Sequence, residues 1–127
     1  MPAFANLSLK NQAAVEQVFA PANIDPSTKI STWLATGASF DAKPRATLSL
    51  SLPKSGSTRV KIVGKVSIPV MDPVITTQKI DELIGTFEIS LPKNATLANR
   101  QDLRAMVADF LVDATVIAAV ENFEAVY

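Results

Sequence analysis

The chain has no cysteine and no histidine among its 127 residues. The first absence excludes disulfides, thiol catalysis and thiolate metal sites. The second removes the commonest general base and the commonest side-chain metal ligand. Aromatics are sparse, with six Phe, one Trp and one Tyr. No apolar run reaches the roughly 18 residues of a membrane span, so no membrane association is expected. The opening Met1-Pro2-Ala3-Phe4-Ala5-Asn6 lacks a basic region followed by an apolar one, and no signal peptide is expected. There is no Gly-rich phosphate loop and no carboxylate pair set among apolar residues. An enzyme is therefore not expected, and no catalytic residue, metal ligand or cofactor is assigned.

What the chain does have is an uneven charge. Twelve basic and twelve acidic residues give a net charge of zero. Yet the stretch from Ala42 to Met71 holds six basic residues and no acid: Lys43, Arg45, Lys54, Arg59, Lys61 and Lys65. Residues 72–127 carry four basic residues against nine acids, a balance of minus five. A basic middle and an acidic C-terminal part imply two surfaces with different tasks. With 48% apolar residues the chain is long enough for a real core, and one domain over residues 1–127 is expected.

The periodicity changes along the chain. Phe4–Lys10 alternates weakly as a strand. Ala14–Ala20 reads as strand or helix, ended by a loop from Pro21 to Ser27. Lys29–Ala35 is a third strand candidate. In Arg45–Leu52 the period of two is nearly complete: Ala46, Leu48, Leu50 and Leu52 face one way, and Arg45, Thr47, Ser49 and Ser51 the other. Pro53-Lys54-Ser55-Gly56-Ser57 predicts a turn, and Arg59–Ile68 then pairs back as a hairpin. Its Val60, Ile62, Val66 and Ile68 oppose Arg59, Lys61, Lys65 and Ser67, and Pro69 is expected to stop it. A last strand covers Leu83–Leu91, ended by Pro92, with Phe87, Ile89 and Leu91 toward the core and Thr86, Glu88 and Ser90 outward.

From Asn94 the period becomes helical, with Asn94 or Thr96 able to cap the start. Leu103, Met106, Val107, Phe110 and Leu111 form one apolar stripe. Asp113 can cap a second helix whose apolar side is Val116, Ile117, Val120 and Phe123, although one bent helix fits nearly as well. Strands over about 4–92 followed by helices over about 95–124 predict an α+β fold with an antiparallel sheet. The wide apolar helix faces and the open sheet edges favour a homodimer.

This combination resembles the coat proteins of the small single-stranded RNA bacteriophages, the leviviruses. The likeness rests on Ile30-Ser31-Thr32-Trp33-Leu34, on the basic hairpin Arg45–Pro69, on Phe87-Glu88-Ile89-Ser90-Leu91-Pro92, and on a helical tail ending in Tyr127. It spans nearly the whole chain, although no single motif is specific.

The resemblance implies an N-terminal β-hairpin, a five-stranded antiparallel sheet and two C-terminal α-helices, interlocked as a homodimer with a continuous ten-stranded sheet. It implies assembly into an icosahedral shell, usually T=3, around the single-stranded RNA genome, inside the bacterial cytoplasm. A phage maturation protein is a further implied partner. In the family the positive sheet face lines the shell and binds an RNA hairpin that represses replicase translation. Carried over by position, the RNA-binding residues are Arg45, Thr47, Ser49, Ser51, Arg59, Lys61, Lys65, Thr86 and Glu88. The dimer interface is Leu103, Met106, Val107, Phe110, Leu111, Val116, Ile117 and Val120. The inter-dimer loop is Met71, Asp72, Pro73, Val74, Ile75, Thr76 and Thr77. Where some members stack a base on a tyrosine of the last strand, this chain has Ile84, and no aromatic is expected on the inward face. The alternative reading is a non-viral dimeric RNA-binding module with a basic β-sheet face, and a third is a dimeric scaffold without a nucleic-acid role.

Overall fold

A computed structural model describes residues 4–37, 39–53 and 58–125. The expected turn at Lys54–Ser57 and the terminal Tyr127 lie outside the described residues. The chain divides into two compact units, residues 1–90 and 91–127.

The first unit is a sheet in simple chain order, with strands β1 (Leu7–Lys10), β2 (Glu16–Ile24), β3 (Ile30–Leu34), β4 (Arg45–Ser51), β5 (Arg59–Met71) and β6 (Lys79–Pro92). The last two residues of β6 fall in the second unit. The four pairings from β1 to β5 are antiparallel. Along β5 and β6 the partners Arg59/Ser90, Lys61/Glu88 and Ser67/Glu82 run in opposite directions, so this pair is antiparallel too. The expected hairpin and five-stranded sheet are both present and share β2. Its first half pairs with β1 and its second half with β3.

Two prolines are crossed rather than obeyed. Pro21 does not end β2; the strand continues to Ile24 through a register shift between Pro21 and Asn23. A bulge absorbs the lost donor and bends the strand. Pro69 does not end β5, which runs on to Met71. Pairing with β4 has already finished at Arg45–Ser67, so a residue without an N–H is tolerated on that flank. Met71 is consequently strand rather than loop, and the loop to β6 shortens to residues 72–78 because β6 begins at Lys79 instead of Leu83.

The turns are set by short polar side chains. The Asn11 carboxamide accepts from the backbone N–H groups of Ala13 and Val15 at 3.1 and 3.0 Å, with Ala14 at φ 60°. Asp25 does the same for Ser27 and Thr28 at 2.9 and 3.3 Å, with Lys29 at φ 60°. Both match a turn closed by one left-handed residue.

The sheet has two unlike faces. Ala46 lies opposite Val66, Leu48 opposite Gly64 and Leu50 opposite Ile62, which makes one face apolar. Among the described residues the buried hydrophobics are Phe19, Ala35 and Ala46, with Leu7, Leu9, Trp33 and Val66 packed against them. Trp33 donates its indole N–H to the Ala5 carbonyl at 2.9 Å and meets Phe4 edge-on. The Phe87 ring covers Gly64 so closely that any side chain there would collide with it. Most of this face is open: Leu50 is 47% and Leu83 60% exposed.

The second unit holds α1 (Leu97–Leu111) and α2 (Ala114–Asn122). There are two helices, not one bent one. Thr96, rather than Asn94, caps α1 by accepting from the Asn99 N–H at 3.2 Å. Asp113 caps α2 by accepting from the Thr115 N–H at 2.9 Å. Phe123 ends α2 in the left-handed conformation, and neither helix buries a residue.

Candidate nucleic-acid interface

Alternation along the strands places the polar residues of β4, β5 and β6 on the face opposite Ala46 and Val66. Arg45 lies opposite Ser67, Thr47 opposite Lys65, Ser49 opposite Val63 and Ser51 opposite Lys61. Lys61 reaches Glu88 on β6, which puts Glu88, Thr86 and Ile84 on the same face. All nine residues expected from the sequence therefore share one surface. The register of β3 adds Ile30 and Thr32, which lie opposite Ser49 and Thr47. Alternation within β3 alone could not say which of its sides joins the charged face.

The basic residues are not equivalent. Lys61 Nζ sits 3.2 Å from Glu88 Oε1, with both side chains about half exposed. Arg59 donates from Nε to the Ser90 hydroxyl at 2.9 Å and from a terminal nitrogen to the Ser90 carbonyl at 3.2 Å. These cations at the Arg59 end are thus oriented by β6. Toward the other end of β5 the picture differs. Lys79 pairs with Glu82 at 3.3 Å, and Glu82 also accepts from the Ser67 hydroxyl. The Ser67 and Lys79 hydrogen bonds hold the Glu82 carboxyl below its ordinary range. Among the described residues Lys43, Arg45 and Lys65 have no carboxylate at ion-pair distance.

A hollow of about 420 Å³ opens at that second end. Its lining includes the cations Lys43, Arg45, Lys65 and Lys79 and the carboxylates Asp41 and Glu82. Phe40 also lines it, from a short 3-10 turn at Phe40–Ala42. The charged face accordingly does have an aromatic, contrary to expectation. The ring comes from the connection between β3 and β4, where strand alternation carries no information. Ile84 stands on the face as expected and supplies no ring.

The loop after β5 is compact. Asp72 accepts from the N–H groups of Val74 and Ile75 at 2.7 and 3.0 Å and donates its own N–H to the Gln78 carbonyl at 2.8 Å. The Ile75 bond first and the Val74 bond second lower the Asp72 carboxyl from its ordinary range. Val74 is 87% exposed on this loop. Most residues expected at a dimer interface are also open, Met106, Phe110 and Val120 being 68%, 67% and 71% exposed, whereas Val107 and Val116 are half-buried. Among the described residues no group of acids clusters as a metal site.

Comparison with known proteins covers nearly the whole chain. A family model described as levivirus coat protein matches residues 2–127. Among solved structures, the virus-like particle of Beihai levi-like virus 21 is similar at 20% identity and a TM-score of 0.91, covering 99% of each chain. The virus-like particle of bacteriophage ESE058 is similar at 26% identity and a TM-score of 0.88, covering 99% of this chain and 100% of its own. An unassembled virus coat protein dimer, described as a bacteriophage RNA-binding dimer, is similar at 15% identity and a TM-score of 0.65, covering 98% of each chain. No curated protein matches.

Proposed function

This chain belongs to the levivirus coat protein family, and on that premise we propose that it dimerises, assembles into an icosahedral T=3 shell, and packages single-stranded RNA against its basic sheet face. Its role is that of a structural capsid protein. The observation that carries the RNA reading is the segregation of the sheet: Arg45, Thr47, Ser49, Lys61 and Lys65 on one side, and Ala46, Leu48, Leu50 and Ile62 on the other. Cations on a strand face contact phosphates and release counterions, and the hydroxyls between them can bond unstacked bases.

The apolar side and the helix stripes supply the self-association. Leu50, Leu83, Met106, Phe110 and Val120 are all exposed in one chain. A second copy whose helices cross the apolar sheet face covers these surfaces, and the whole of residues 1–127 then acts as one coat-protein module. The similarity in fold to a dimer described as RNA-binding supports this reading. Loop residues 72–77, with Val74 at the tip, make the contacts between dimers. Recognition of a specific RNA hairpin, with repression of replicase translation, belongs to the same proposal. So do contact with a maturation protein and assembly in the bacterial cytoplasm into the virion.

Electron microscopy of the purified protein with RNA tests the assembly. Uniform shells the size of small phages, containing RNA, are expected. Soluble dimers alone, under conditions that assemble related phages, would overturn the capsid reading. RNA affinity of the dimers should fall steeply with salt, and a flat dependence would remove the basic face as the binding surface.

A further inference from the structure

We infer that the hollow between the 3-10 turn and the far end of β5 takes one unpaired nucleotide of single-stranded RNA, with Phe40 as the ring on which its base stacks. This rests on the reading of the basic face as an RNA surface and goes beyond it by naming a pocket and a stacking residue.

Three features point to a nucleotide. The first is the ring: Phe40 is a large apolar side chain left 64% exposed at a hollow otherwise rich in charge. Its backbone is held by bonds from the Ala42 N–H to the Ser39 carbonyl at 3.1 Å and from the Lys43 N–H to the Phe40 carbonyl at 3.3 Å. The connection is anchored at both sides. The Ala35 N–H donates to the Pro44 carbonyl at 2.9 Å, and Gly37 lies so near Ala42 that a Cβ there would sit 2.7 Å from the Ala42 carbonyl. The ring is therefore presented from a fixed turn.

The second feature is the charge. Lys79 is engaged by Glu82, which Lys65 also meets electrostatically, while Lys43 and Arg45 stand around the same hollow with no carboxylate at ion-pair distance among the described residues. Four cations against the two carboxylates Asp41 and Glu82 leave the hollow net positive beside one aromatic, which suits a ligand that is flat at one end and anionic at the other. The third is size and polarity. About 420 Å³ falls within the roughly 300–1,000 Å³ of small-ligand sites. The half-buried Thr47 hydroxyl adds a donor and acceptor for a base edge. Because the hollow opens onto the face that carries Lys65 and Ser49, the flanking nucleotides continue along the strands. A duplex keeps its bases stacked and cannot insert one, so the ligand is single-stranded.

Affinities of the wild-type dimer, Phe40→Ala, Phe40→Leu, Phe40→Trp and a Lys61→Ala/Lys65→Ala double variant, for a short unstructured RNA and for a duplex of the same sequence, test this. Circular dichroism and size exclusion confirm that each variant folds and dimerises. Phe40→Ala and Phe40→Leu should each weaken single-strand binding about five- to 100-fold, the range of one base stacked on an aromatic. Phe40→Trp should retain it, duplex binding should not change, and the salt slope of Phe40→Ala should match the wild type, since no charge is lost. Wild-type affinity in Phe40→Ala together with weakened binding in the lysine double variant overturns the stacking pocket and leaves the basic face standing. Unchanged binding in every variant overturns both.

Discussion

The Lys61–Glu88 contact shows how one acid tunes a basic surface. Both side chains are about half exposed, at 51% and 54%. An exposed pair of this kind contributes only about 0–1 kcal/mol to stability. On the proposed RNA reading its larger consequence is that a phosphate approaching Lys61 must compete with a carboxylate 3.2 Å away. Glu88→Gln removes that competitor and one negative charge. Affinity of the dimer for single-stranded RNA should rise several-fold, and the salt slope should steepen by about 0.7, the increment of one added phosphate contact. Filter binding over a salt series measures both. Weaker binding in Glu88→Gln would mean that Glu88 itself contacts RNA, as its position in the family pattern implies.

At the scale of elements, the loop after β5 contains a built-in dependence on pH. Asp72 accepts two backbone N–H groups, from Ile75 and Val74, and these lower its carboxyl from the ordinary value. A carboxyl whose value is lower in the ordered loop than in the open one stabilises the order at higher pH. That contribution is complete above the ordinary carboxylate value and is lost as pH falls through the lowered one. Amide resonances of Val74 and Ile75 should move together as acid is added. Asp72→Asn, which keeps an acceptor oxygen but does not titrate, should hold them steady over the same range; an identical transition in Asp72→Asn would assign the change to another group. The same elements explain what could be read in the sequence. β4 and β5 were legible because a period of two survives wherever one face is apolar. The ends at Pro21 and Pro69 were not, because whether a proline stops a strand depends on whether a neighbour needs its N–H there. The nine residues of the charged face were legible as a set. The hollow was not: Ile30, Phe40, Lys65 and Glu82 come together only through the registers of successive strands.

For the whole molecule, the balance between buried and open apolar surface decides the assembly state. Among the described residues the buried hydrophobics are a single Phe and two Ala, while Leu50, Leu83, Met106, Phe110, Leu111 and Val120 remain exposed. Burying one Leu, Met or Phe side chain contributes about 1.5–3 kcal/mol. Six such residues left in water forgo a sum comparable to the whole stability of an ordinary domain, which is about 5–15 kcal/mol. On the proposed dimer reading, a fold arranged this way gains its stability from a second copy, which makes folding inseparable from association. Stability should accordingly depend on protein concentration, each tenfold increase adding about 1.4 kcal/mol to the dimer over two unfolded chains. Thermal unfolding of RNA-free protein, across a hundredfold range of concentration and under conditions that prevent shell formation, should show a midpoint that climbs steadily. Phe110→Ser, which places a polar group on the helix stripe, should lower that midpoint at every concentration. A midpoint independent of concentration, with a monomer mass by light scattering, would show that one chain covers its own apolar surfaces and that the open sheet face has no partner copy to meet.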